Sequence, residues 1–183
     1  MNVGRLAARA VVGGLFVGHG TQKLFGWFGG PGFEGTKGMM ESLELRPAER
    51  NAYAAGITET AGGALLIAGL ATPLACAGLI GTMVTAIRKV HSPELWNAQG
   101  GYEYNAVLIA TLMLLAEEGP GDISADAALG WTKPGVKWSM GALALGAAAS
   151  IATVEAGRRA RPEPDVEDSA PPVDTAGDPT TQA

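Results

Sequence analysis

What most constrains this chain is the recurrence of apolar stretches long enough to cross a bilayer, separated by short segments rich in glycine, proline and aromatic residues. A hydrocarbon core of about 30 Å takes about 20 helical residues at a rise of 1.5 Å each. Lipid offers the backbone no water to bond, so only helices or closed barrels span it. The stretches here are too long and continuous for barrel strands. They predict an all-α, polytopic membrane protein with a four-helix bundle over 1–130. Its spans fall at about 3–28, 51–70, 74–90 and 102–116. A fifth apolar helix is expected within 131–156, and 157–183 reads as an acidic, Pro-rich disordered tail.

Composition agrees with this reading. Charged residues are 17% of the chain, below the quarter of a soluble domain, and hydrophobic residues are 47%. From Gly157 onward three arginines meet six acidic residues, a balance that gives no sign of nucleic-acid binding. Cys76 is the single cysteine, which excludes an intrachain disulfide, a CxxC pair and a thiolate-rich metal site. In an apolar run it reads as inert packing, with a role as another protein's thiol partner the lesser alternative. Arg5 and Arg9 before an apolar run also fit a signal peptide. No A-x-A-like cleavage site follows, and the run continues through His19 and Lys23 to Phe28, so a retained first span is expected. The expected location is the plasma membrane, crossed several times.

Smaller features follow in chain order. Gly14 and Gly18 form a small-xxx-small pair suited to close helix contact. Trp27 and Phe28 sit where an interfacial anchor belongs, as do Trp96, Tyr102 and Tyr104 further on. Residues 36–45 place Met39, Met40, Leu43 and Leu45 among Lys37, Glu41 and Glu44, the pattern of an amphipathic helix lying on the bilayer surface. Thr72-Pro73 makes a tight turn that sets the second and third spans antiparallel. The fourth span is short and needs a thinned bilayer or snorkelling ends. A surface helix is expected near Ser124, and Ala142 and Gly146 are spaced for packing. Five spans with the N-terminus inside would put Lys37, Arg46, Arg50, Arg88, Lys89 and the Arg158 cluster outside, against the positive-inside preference. If 138–154 does not cross, that conflict disappears, so the sequence leaves the orientation open.

The polar residues converge in depth. His19 and Glu59 lie about eight or nine residues, or ~12–13 Å, from the same end of the first and second spans. Lys23 is one turn nearer the surface. The third span brings Arg88, Lys89 and His91 to that end, and the fourth starts there with Glu103, Tyr104 and Asn105. The opposite end is expected to hold only the Thr72-Pro73 turn and the GPGD loop. Ionisable groups within a membrane are functional candidates by default. His19, Lys23, Glu59, Arg88, His91 and Glu103 are therefore the candidate pocket, able to protonate a quinone head group or bind a small anion. The plainer reading pairs Glu59 with Lys23 or His19 merely to neutralise charge, and for Lys89 alone snorkelling is the favoured reading. No HExxH spacing supports a metal, and no haem-attachment, phosphate-loop or dinucleotide motif occurs.

The segments GHGTQKLFGWFGGPG, TETAGGALLIAGLATPLA and AIRKVHSPELW, followed by GGYEYN and GPGDISAD, resemble the DoxX family of small membrane proteins over residues 5–126. That resemblance implies a four-helix membrane bundle, with 138–154 and the tail as an extension. It links the chain to the membrane subunit of thiosulfate:quinone oxidoreductase, and to a membrane oxidoreductase complex with a superoxide dismutase and a thiosulfate sulfurtransferase. The positions matching the family's polar residues are His19, Lys23, Glu59, His91, Glu103 and Asp126. The function so implied is a component of a quinone-linked oxidoreductase or redox-stress complex, with soluble redox enzymes or further copies of itself as partners. The alternative is a non-enzymatic scaffold or small-solute carrier whose polar cluster is structural.

Overall fold

The computed structural model describes residues 3–160; the tail expected beyond them lies outside the described residues. Among these residues the regular elements are helical, with no strand. Helix α1 spans Val3–Phe25 and α2 spans Gly32–Ser42, with a short 3₁₀ turn at Trp27–Gly29 between them. Helices α3 (Ala48–Ala68) and α4 (Thr72–Ala86) follow, and α4 runs on into a π turn at Ile87–His91. After a 3₁₀ turn at Asn97–Gln99 come α5 (Glu103–Glu118), the four-residue α6 (Ala125–Ala128) and α7 (Val136–Arg159).

Helix α4 is the centre of the packing. It lies against α3, α5 and α7, while α1 packs on α3 and α5 also touches α7. Cys76, Leu79 and Ile80 of α4 are wholly buried, in one cluster with Phe16, Leu66, Met83, Leu108 and Leu112. The helix contacts depend on glycine. A Cβ added at Gly63 would lie 2.5 Å from the Gly13 carbonyl oxygen, and one at Gly146 would lie 2.7 Å from that of Ala77. Both distances are too short for any side chain, so these backbones approach only because there is none. The pair singled out in the sequence, Gly14 and Gly18, is not at a contact: a Cβ at either would meet nothing within 4 Å. The neighbouring Gly13 and Gly20 face α3 instead, one and two positions from the expected pair.

Apart from Val12, Phe16 and Leu66, the buried faces of α1 and α3 are small or polar, and many large apolar side chains point outward. Val11, Ile57, Leu74, Val107, Leu145 and Ile151 are each more than half exposed. This distribution explains why only α4 with its π turn (Thr72–His91) and α7 (Val136–Arg159) are, among the described residues, long and apolar enough to cross a membrane by composition. Arg5, Arg9 and Lys23 lower the hydropathy of α1, Glu49, Arg50 and Glu59 that of α3, and α5 has 16 residues.

Two elements differ from expectation. Helix α2 begins earlier than 36–45, and Met40 and the following Leu45 turn inward, while Met39 stays exposed. Met40 and Leu45 are buried against Ala52 and Val154, so α2 covers the end of the helical body. The partner surface comes from α7, whose Gly157 packs against the Glu44 carbonyl; a local amphipathic pattern cannot distinguish that surface from lipid.

The end bearing the α3–α4 turn is also more than a loop. Helix α3 stops in a Schellman motif, with Gly69 at φ 64° and Leu70 N donating to Leu65 O. The Arg9 guanidinium, buried, donates to the α3 carbonyls Leu66 O (3.0 Å) and Ile67 O (2.7 Å) and to Pro120 O and Ile123 O. Asp126, also buried, accepts from Ala71 N (2.8 Å) and Thr72 N (3.1 Å) and so caps α4. Arg9 and Asp126 thus fasten three connections to one another.

Candidate functional site: a cavity with a buried ion pair

At the other end, beneath α2, the helices enclose a cavity of about 470 Å³, within the range of small-molecule sites. Its apolar walls include Leu15 and Phe16 of α1, Met39 and Met40 of α2, Met83 of α4 and Leu108 of α5. Polar groups interrupt them: His19 and Lys23 on α1, Asn51, Thr58 and Glu59 on α3, Lys89 and His91 on the π turn, Tyr104 and Asn105 on α5, Ser150 and Thr153 on α7.

Four of the six candidate residues line this cavity: His19, Lys23, Glu59 and His91. Lys23 Nζ lies 2.5 Å from Glu59 Oε2, a charge-assisted hydrogen bond between neighbouring helices. The two side chains are 20% and 6% exposed, so the carboxylate is the enclosed partner and the ammonium reaches toward the open side. His19 turns its Nδ1 to Gln22 Oε1 at 3.1 Å, which makes Lys23 the partner bonded to Glu59. His91 Nδ1 lies 2.7 Å from Gly100 O. A carbonyl only accepts, so Nδ1 is the donor in this contact.

The other two candidates are elsewhere. Arg88 is exposed and does not line the cavity, while its neighbour Lys89 does. The sequence makes Arg88 a candidate because the third span ends on this side; the π turn, closed by Ser92 N donating to Ile87 O at 2.9 Å, gives the end of that span a spacing other than α-helical. Glu103 lines a shallower depression with Asn97, Tyr104 and Val107, and its Oε1 accepts from Asn97 N at 3.0 Å. Among the described residues no three His, Cys, Asp or Glu side chains gather in a metal-holding group. Cys76 lies in the core, not on the cavity wall.

Sequence reasoning missed two contributions. Helix α7 supplies Ser150, which accepts from Thr85 Oγ1 at 2.9 Å, and Thr153, although it was read as an extension. Arg9 looked like an ordinary flanking cation; no local pattern marks it as the buried donor it is. Asp126, given only as a matching position, caps α4 at the end away from the cavity.

The arrangement suits holding a small apolar body against a wall that carries one fixed ion pair and two imidazoles. Comparison with known proteins adds one finding. A family model described as DoxX matches residues 4–92, from α1 through the π turn, leaving α5, α6 and α7 outside the match. No curated protein and no solved structure matches the chain. The GGYEYN and GPGDISAD segments, counted in the resemblance, fall beyond the matched stretch. Over residues 4–92, which carry the Lys23–Glu59 pair, this chain belongs to the DoxX family of membrane-associated proteins.

Proposed function

We propose that the chain is a multi-pass plasma-membrane protein in which α1, α3, α4 and α5 form the bundle and α7 is a fifth span. In this reading it serves a quinone-linked oxidoreductase or redox-stress system. The cavity receives the quinone head group, and Glu59, Lys23 and His19 handle its protons. The observation that carries the reading is the enclosed Lys23–Glu59 pair on the wall of an apolar cavity, a costly arrangement in a membrane unless something uses it. Large apolar side chains facing outward and glycine-mediated helix contacts support the membrane assignment. Electrons come from a partner protein or a bound redox ligand, since the only cysteine is out of reach of the cavity.

If α7 crosses, charge supports one orientation. The C-terminal end of α7 packs beside α2, so Lys37, Arg46, Arg50, Arg88, Lys89, Arg158 and Arg159 share the cavity end, against Arg5, Arg9, Lys133 and Lys137 at the other. The positive-inside preference then places the cavity end in the cytoplasm. The test is photo-crosslinking of a short-chain azidoquinone to the protein in nanodiscs, with peptide mapping. Labels on α1 and α3 near His19 and Glu59, suppressed by Glu59→Gln, are expected. Uniform labelling of lipid-facing residues, unaffected by Glu59→Gln, would refute the reading.

A second reading has its own observation. Lys23 and Glu59 already neutralise each other at 2.5 Å, as a purely structural cluster in a scaffold or solute carrier would require.

A further inference from the structure

The charges on the cavity wall do not balance. Its one carboxylate, Glu59, is taken by Lys23, and Lys89 lines the same wall with no acidic partner among the described residues. His91 sits two residues on, with Nε2 left free by the Nδ1 contact to Gly100. A neutral ligand filling the cavity would strip water from Lys89 and give nothing back.

On one side the cavity adjoins a depression at the surface of α5. It shares Asn97 and Tyr104 with the shallower depression on α5, whose remaining walls are Glu103 and Val107. Val107 is 62% exposed on the outward face of α5. Glu103 is the acidic group here, and its carboxylate is engaged by Asn97 N and lines only the depression. The depression thus sets the outward-facing Val107 beside an apolar cavity whose unbalanced charge is positive.

We propose that this cavity takes a single-chain anionic amphiphile from the bilayer: a carboxylate or phosphate head placed at Lys89 and His91, with the chain against Phe16, Met83 and Leu108. The site rests on the reading of the cavity as a ligand site, but not on its redox chemistry; the anion occupies the space a quinone would take and competes with it. A volume of about 470 Å³ suits a head and part of one chain rather than a whole two-chain lipid.

The test uses the full chain in phosphatidylcholine nanodiscs, titrated with dibromostearate, which quenches tryptophan, and with its uncharged methyl ester. Trp96 adjoins the cavity-lining Asn97, and Trp96→Phe identifies its share of the signal. Saturable quenching by the acid is expected, weakened about tenfold or more by Lys89→Gln and unchanged by Arg88→Gln, which removes the same charge from an outward-facing position. Lys89→Arg should retain binding, which separates charge from folding. Displacement by farnesyl phosphate would identify the natural head as phosphate, and failure to displace would identify it as carboxylate. Equal behaviour of acid and ester, or equal effects of Lys89→Gln and Arg88→Gln, would overturn the inference. A short-chain quinone that binds saturably while the acid does not would sink the anion site alone. Absence of saturable binding by either would sink the cavity reading with it.

Discussion

Removing the two halves of the Lys23–Glu59 pair should have unequal consequences. Breaking a buried ion pair from one side costs about 3–5 kcal/mol, because the remaining charge stays desolvated. Glu59 is 6% exposed on a short side chain, so Lys23→Met should cost in that range, less whatever is recovered by protonating the acid. Lys23 is 20% exposed on a long, flexible stem. After Glu59→Leu it can swing toward the head groups, and the loss should be about 1–2 kcal/mol. The double variant, apolar on both sides, should return to within about 1 kcal/mol of the parent, giving a coupling of about 2 kcal/mol or more. Unfolding in mixed micelles can be followed by labelling Cys76, which is wholly buried and reacts only when the helices part. Additive single effects, or a Glu59→Leu loss larger than that of Lys23→Met, would refute this account of the pair. The repaired double variant also separates the two functional readings: a structural pair leaves activity intact, whereas a working pair leaves a stable protein without it.

Three further outcomes are expected. Gly63→Ala should loosen α1 from α3 by about 2 kcal/mol or more, whereas Gly14→Ala and Gly18→Ala should be neutral or slightly stabilising; Cys76 labelling under denaturant compares them. Asp126→Ala removes the α4 cap and should cost about 1–2 kcal/mol, visible as a lower midpoint in the same assay, with the quinone crosslink at the far end unchanged. A cysteine placed at Lys37 in a Cys76→Ala background should resist an impermeant maleimide in intact cells and react in inverted vesicles, while one at Lys133 should do the opposite. The reverse pattern would overturn the cytoplasmic placement of the cavity.

Much of this architecture could be read from the chain because apolar length is a local property. The spans at 51–70 and 74–90 match α3 and α4 with its π turn to within three residues, and the expected helix near Ser124 is α6, capped by the Ser124 hydroxyl. Counting depth brings Glu59 level with His19 and leaves Lys23 one turn nearer the surface; the structure pairs Glu59 with Lys23 and turns His19 to Gln22, so the neighbourhood was legible and the partner was not. Nor was the helix face that turns inward. Gly13 and Gly14 are equally small, and only the neighbouring α3 decides which one is used. Arg88 and Lys89 are both basic, and the π turn, invisible in IRKVH as letters, determines which of them meets the cavity. Met40 and Leu45 were read as lipid-facing because their true partner, Val154, lies more than a hundred residues away in sequence.

The central claim is that the cavity between these helices exists to hold a membrane-soluble ligand. The most direct test is native mass spectrometry of the protein released from nanodiscs of its own membrane lipids, comparing the parent with Glu59→Gln. The account expects a bound quinone or anionic amphiphile, retained through delipidation in the parent and depleted in the variant at equal folded fraction. An empty parent protein, with the variant differing only in stability, would contradict it and leave the polar cluster as structure alone.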